Sequence, residues 1–271
     1  MFSTAPIPLR IEVSMTMTVS ADIVLDSENR TTPVSGADLD GSSGTALQGQ
    51  AAVLIWNDIA SEGRDQFYRW HDNEHMPERL ALPGFRRGRR FSKPGHSPEW
   101  LTMYEAVDVS ALISPEYLAR LNAPTAATAA ALKHFRNTSR AVCRVVRSVG
   151  SSMGGHMLAI RLNVPQEQLG AMSRYLCDDA FPRAIASTGI VACHLYQADR
   201  SASYVNTAES STRQFDVPAW VILCEASTAA AATKVHDTFD RNEFTRLGVE
   251  VRKDAAVYAL EICRLSSALY C

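Results

Sequence analysis

The sequence predicts an α+β chain of two ferredoxin-like β-α-β-β-α-β units, packed sheet to sheet as an intrachain pseudo-dimeric α+β barrel. Three observations predict it. The same order of apolar runs and helical stretches occurs twice in 271 residues. Residues of the two halves match at nearly fixed offsets. Each predicted sheet also has an apolar face that helices on one side leave bare, and such a face needs a cover.

The elements follow in order. Ala51 to Asn57 is a short apolar run, read as a buried strand. From Ser61 a helical stretch places Phe67, Trp70 and Glu74 on one face and Phe67, His71 and His75 on an overlapping one. Pro77 biases Met76 away from helical geometry, so the helix is expected to end or kink there. Pro83-Gly84 signals a turn. Strands follow at Phe85 to Ser92 and Trp100 to Val107. Helical regions open at Ser110 and run from Thr125 to Phe135, and a strand runs from Ala141 to Val149. This is the split βαβ order. The second half repeats it: strand Met157 to Leu162, helix Gln166 to Phe181 before Pro182, strands Ile190 to Gln197 and Trp220 to Ala226, helix Thr228 to Phe244, strand Ala256 to Leu265.

An offset of 105 takes Trp70 to Tyr175, Pro77 to Pro182, Gly84 to Gly189 and Phe85 to Ile190, without a gap from 70 to 91. An offset of 120 takes Trp100 to Trp220 and Glu105 to Glu225. Aligned Pro, Gly and Trp favour duplication over coincidence. The expected organisation is a disordered leader over 1–50, rich in Ser, Thr, Gly and Asp, a first unit over 51–149, a Ser/Gly-rich linker over 150–156, a second unit over 157–265 and a tail over 266–271.

A formal charge of −2 argues against a dedicated nucleic-acid partner and gives no reason to sit on an anionic membrane. No stretch approaches the ~20 apolar residues of a membrane helix. The six cysteines form no CxxC pair and lie mostly in apolar runs, as expected of buried hydrophobes in a reducing cytoplasm. GxGxxG, P-loop and GxSxG sequences are lacking, which removes support for nucleotide cofactors and hydrolase elbows.

The segment Trp70-His71-Asp72-Asn73-Glu74-His75-Met76-Pro77-Glu78-Arg79, followed by Pro83 to Phe91, resembles the signature of the EthD-like group of the dimeric α+β barrel superfamily. Ser114-Pro115-Glu116-Tyr117-Leu118 is similar to the start of that group's second helix. The likeness covers residues 51–149 and weakens beyond 155. It implies a pocket between helices and sheet, small organic substrates, and a context of aromatic or ring-derived catabolism. The superfamily holds isomerases, cyclases and dehydratases, and cofactor-independent monooxygenases, so the fold does not choose the chemistry.

His75 matches the group's motif histidine and suits proton transfer near neutral pH. The alternative is a helix C-terminal His held by the dipole and the last carbonyls. Its counterpart is Ala180, so chemistry that needs it occurs once per chain. Glu74 and Glu78 either orient it or pair with Arg69 and Arg79 on the surface. His71 and His75 fit H-x-x-E-H, but Pro77 and the α+β pattern oppose a zinc peptidase, and no metal is expected. Strand alternation puts Arg87 and Arg89 on one face and Arg86 and Arg90 on the other, so one pair is expected to clamp a substrate carboxylate, the alternative being a solvated edge or an ion-pair network. Tyr68, Trp70 and Tyr104 are candidate pocket walls, or plain core.

The expected activity is a cofactor-independent isomerisation, dehydration or lyase step on a small, anionic or phenolic metabolite, with a proton moved by His75. The alternatives are a cofactor-free monooxygenase of phenols and a non-catalytic small-molecule binder. A small molecule is the expected partner, with further homo-oligomerisation left open.

Overall fold

The computed structural model describes residues 45–212, 217–252 and 255–267. Nine strands are found among them: β1 (Ala51–Ile59), β2 (Phe85–Ser92), β3 (Trp100–Ala106), β4 (Phe135–Val149), β5 (His156–Asn163), β6 (Ile190–Ala198), β7 (Trp220–Ala226), β8 (Glu250–Val251) and β9 (Ala256–Leu265). The first half contributes the ladder β4-β1-β3-β2 and the second the matching ladder β9-β5-β7-β6. The ladders join at both edges, β2 to β9 and β4 to β6, so eight antiparallel strands close into a barrel, with β8 appended to β5. Closure pairs every main strand on both sides and removes the exposed edges that invite aggregation.

Alternation along the strands separates two environments. Ala52, Leu54, Trp56, Phe91, Leu101, Met103, Met157, Tyr196, Val221, Leu223 and Tyr258 point inward and fill the barrel. The opposite faces meet the helices. In the second half that layer is one continuous core including Ile160, Leu162, Leu176, Phe181, Ile222 and Phe244. In the first half it splits into two clusters, one around Phe67, Trp70 and Trp100, the other around Val53, Met76 and Leu112.

The first helical run departs from expectation. α1 (Arg64–Trp70) passes through a π-helical turn, His71–His75, into α2 (Met76–Leu80). Pro77 therefore does not end the helix. A proline lacks a donor and crowds the carbonyl four residues back. Here it occupies the first turn of α2, where a missing N–H is tolerated, and the wider π turn precedes it. Gly84, at φ +83°, then turns the chain into β2, and a Cβ there would meet Ala111 Cβ at 2.6 Å.

Ser114 caps α3 (Pro115–Asn122) and Thr125 caps α4 (Ala126–Leu132), each accepting from a backbone N–H three residues on. The second half repeats the π turn. α5 (Leu169–Arg174) runs through Tyr175–Ala180 into α6 (Phe181–Ile185), past Pro182, and Gly189 turns at φ +85°. The helix expected over Thr228 to Phe244 is two, α8 (Ala229–Val235) and α9 (Arg241–Arg246), because Asp240 starts a new helix as its N-cap. α7 (Arg200–Ser203) lies in the connection 199–219, which replaces the short 93–99 of the first half and accounts for the change of offset. β4 begins at Phe135, earlier than expected, with Asn137 at φ 50°.

Part of the expected leader belongs to the fold. Leu47 packs into the barrel interior, and Gln48 N–H donates to Glu105 Oε2 at 2.7 Å. The rest of the expected leader, 1–44, lies outside the described residues, as does 268–271 of the tail. Ser266 is buried and bonds Leu80 O and Arg86 O, so the tail starts no earlier than 267. Among the described residues no helix is long and apolar enough to cross a membrane.

Candidate active site

The gap between the two first-half clusters is a cavity of ≈ 450 Å³, counting the space open to solvent at its mouth. Its floor is the outer face of the sheet: Ile55 and Asn57 of β1, Thr102 and Tyr104 of β3, and Thr138 of β4. Its roof is the helical layer: Phe67, Trp70, His71 and His75 from α1 and the π turn, with Leu132 and Phe135. Glu209, from the 199–219 connection of the other half, closes one side.

The π turn places both histidines over the floor. His75 lies against Trp70, ring centroids 4.3 Å apart, and edge-on to Tyr104 at 6.3 Å. His71 Nδ1 is 2.8 Å from Arg90 Nη1 and Nε2 is 3.2 Å from Tyr104 Oη. Guanidinium only donates, so Nδ1 accepts, and the ring proton of neutral His71 resides on Nε2 and is donated to Tyr104. Asp72 Oδ1, 3.8 Å from Nδ1, is beyond hydrogen-bond reach and instead accepts from Arg90 at 2.5 Å. Burial lowers the pKa of His71, and the Arg90 charge lowers it further against the pull of Asp72. Burial alone would raise Asp72, but the hydrogen bonds and charge of Arg90 outweigh it and bring it down to about 2. Arg90 is anchored from its other side by Glu261, which also accepts from Tyr68. Burial strongly raises the Tyr104 pKa, so this hydroxyl stays protonated and serves as a donor.

Of the residues singled out from sequence, His71, His75, Trp70 and Tyr104 line the cavity together. The others do not. Glu74 accepts from Thr125 Oγ1, which caps α4; Thr128, one turn on, accepts from Trp70 Nε1, so these bonds tie α1 to α4. Glu78 pairs with Arg79 and Arg120. Tyr68 packs under Arg90, away from the cavity. Arg87 and Arg89 occupy the barrel face of β2, where they pair with Glu105 and Glu225; Arg87 also contacts Met153 Sδ. Glu225 is held at about 2 because His194 and Arg89 outweigh the opposing effect of burial. The basic strand is thus buried and ion-paired rather than a solvated edge, and the pair expected to clamp a substrate faces the wrong layer. Arg90, on the other face, positions His71. No group of three or more His, Cys, Asp or Glu side chains able to hold a metal occurs among the described residues.

Asn57, Thr102 and Thr138 escaped sequence reasoning because β1 reads as a uniformly apolar strand. A signal existed in the internal match. Strand register aligns Asn57 and Trp100 with Leu162 and Trp220, and Ile55 and Thr102 with Ile160 and Ile222. Asn57 is 1% exposed and Thr138 5%, and neither Asn57 Nδ2 nor Thr138 Oγ1 has a hydrogen-bond partner among the described residues. Such groups are costly to bury unless something else satisfies them.

Solved structures resemble this chain over both halves. An anthrone oxidase-like protein aligns with 82% of it and 96% of its own length, at TM-score 0.53 and 11% identity. The fold is the dimeric α+β barrel. A monooxygenase candidate from Fusobacterium nucleatum subsp. nucleatum aligns with 81% of this chain and 95% of its own, at TM-score 0.48 and 8% identity. A ferredoxin-fold protein from Listeria monocytogenes related to antibiotic biosynthesis monooxygenases covers 80% and 97%, at TM-score 0.41 and 11% identity. No protein-family model and no curated protein matches the sequence.

Proposed function

We propose that the barrel is a cofactor-free oxygenase of a small aromatic substrate bearing a phenolic hydroxyl or an acidic ring C–H. The observation that carries this reading is an aromatic-walled cavity facing an imidazole, a phenol donor and two buried polar atoms with no hydrogen-bond partner among the described residues. His75 takes the substrate proton. Tyr104 O–H and the Asn57 amide hold the oxygen on which negative charge develops, a role for which fixed donors in a desolvated site are suited. His71, locked by Arg90, cannot accept a proton at Nδ1 and instead orients Tyr104. The electron-rich anion reduces dioxygen by one electron, the two radicals combine to a peroxide, and loss of water leaves a carbonyl. For an acidic methylene the balance is R₂CH₂ + O₂ → R₂C=O + H₂O, with the His75 proton returned to the departing hydroxide. Dioxygen is the oxidant.

The fold match to an anthrone oxidase-like protein supports oxygen chemistry over the isomerase or lyase step anticipated from sequence. The EthD-like motif supports the aromatic substrate class and the choice of His75. The test is oxygen uptake by the purified chain with a panel of phenols and anthrones. One O₂ per substrate is expected. Equal turnover under argon would establish isomerisation instead, and ligand binding without turnover in either gas would leave a binding protein.

A further inference from the structure

Arg140 is a buried cation near the cavity that the mechanism above does not use. It stands two residues beyond Thr138 on the same face of β4 and directly across from Ile55 of β1, both of which line the cavity. It is 7% exposed. Its Nη2 donates to Tyr117 Oη at 3.2 Å, and its guanidinium carbon lies 5.9 Å from the Tyr117 ring. Its Nε has no hydrogen-bond partner, and no carboxylate within ion-pair distance is found among the described residues. The neighbouring Arg79 differs: its Nη2 reaches Glu209 Oε1 at 2.5 Å, so the acid that lines the cavity is matched by its own arginine. Arg79 and Arg120 also share Glu78, so Arg79, Arg120 and Arg140 face two acids and leave a surplus positive charge. A buried guanidinium without a counter-ion is expensive, and the second half has alanine at both matching positions. Ala184 stands at the position of Arg79, and Ala255 lies one step beyond the Ala159–Ala256 pair, where the register places the counterpart of Arg140.

We infer that Arg140 forms an anion subsite at the edge of the cavity and that the substrate is an aromatic acid, its carboxylate accepting from Arg140 while its ring lies between Trp70 and the sheet. Guanidinium suits the task because its Nε–Nη edge matches a carboxylate. The inference rests on reading the cavity as a substrate site, but it is tested by binding alone, so its failure is separable from a failure to find oxygen uptake.

The experiment is calorimetric titration of the full chain with salicylate, its neutral analogue salicylamide, and acetate. Salicylate is expected to bind at least about tenfold tighter than salicylamide, in line with a charge-assisted hydrogen bond of about 1.5–3 kcal/mol. Acetate is expected to bind far more weakly than salicylate. Arg140→Gln is expected to weaken salicylate at least about tenfold more than salicylamide and so abolish the preference, while Arg140→Lys restores part of it. Equal affinity of the unmodified chain for salicylate and salicylamide overturns the proposal, and this comparison needs no variant to fold. Acetate binding as tightly as salicylate, or Arg140→Gln weakening both aromatic ligands alike with a lowered Tm, overturns it as well.

Discussion

The two halves of this barrel use one backbone plan for opposite ends. Both have the interrupted helix with its π turn, the proline after it, the left-handed glycine and the paired tryptophans. Where the first half places Asn57, His71, His75, Thr102 and Tyr104 between helix and sheet, the second places Leu162, Leu176, Ala180, Ile222 and Cys224. The polar set leaves a cavity onto which the Asn57 amide opens without a hydrogen-bond partner among the described residues, and the aliphatic set packs without a break. The difference teaches that the fold specifies the position of the gap while side-chain polarity decides whether it stays open.

The comparison can be broken most severely at His75. His75→Ala is expected to cut kcat by about 10²–10⁴ with little change in Tm, whereas Ala180→His in the other half leaves kcat unaltered. Steady-state kinetics on the oxygen electrode decides; a His75→Ala enzyme as fast as its parent removes the imidazole from the mechanism. Next in size is an exchange of polarity. Leu162→Asn buries an amide in a filled core and is expected to cost about 2–4 kcal/mol in urea unfolding. The reverse change, Asn57→Leu, removes a partnerless amide and is expected to raise stability by about 1 kcal/mol while weakening ligand binding. A loss of stability in Asn57→Leu would mean that the amide is satisfied within the fold.

The smallest effect is a pH dependence confined to the first half. His71 is neutral in the folded chain because burial and Arg90 depress its pKa. The unfolded chain, with an ordinary histidine near ~6.5, therefore binds the proton more readily, and stability falls as pH drops below that value. His71→Gln should flatten the curve from there downward and leave it unchanged above pH 7. A curve identical to that of the parent would place the titration elsewhere.

Much of this architecture was legible in sequence because strands of a closed barrel are short, apolar and bounded by Gly and Pro. Phe85 to Ser92, Trp220 to Ala226 and Ala256 to Leu265 stand as read. Pro77 misled because a single-residue rule does not register a widened turn that makes room for the ring. β4 was read short because Arg136 and Asn137 are polar and exposed where the strand begins. Of the site, His75, Trp70 and Tyr104 were visible as motif and aromatic residues. Glu209 was not, since it arrives from a distant connection of the other half. Which of the two arginine pairs meets the helices was not legible, because alternation gives two faces without assigning them.

Closure by seams within one chain has a genetic consequence. A barrel assembled from two identical polypeptides receives every mutation in duplicate, so neither copy can lose its site while the other keeps it. Joining two units end to end releases that constraint: one half is free to serve as scaffold, and here Glu209 of its long connection furnishes a wall for the other half.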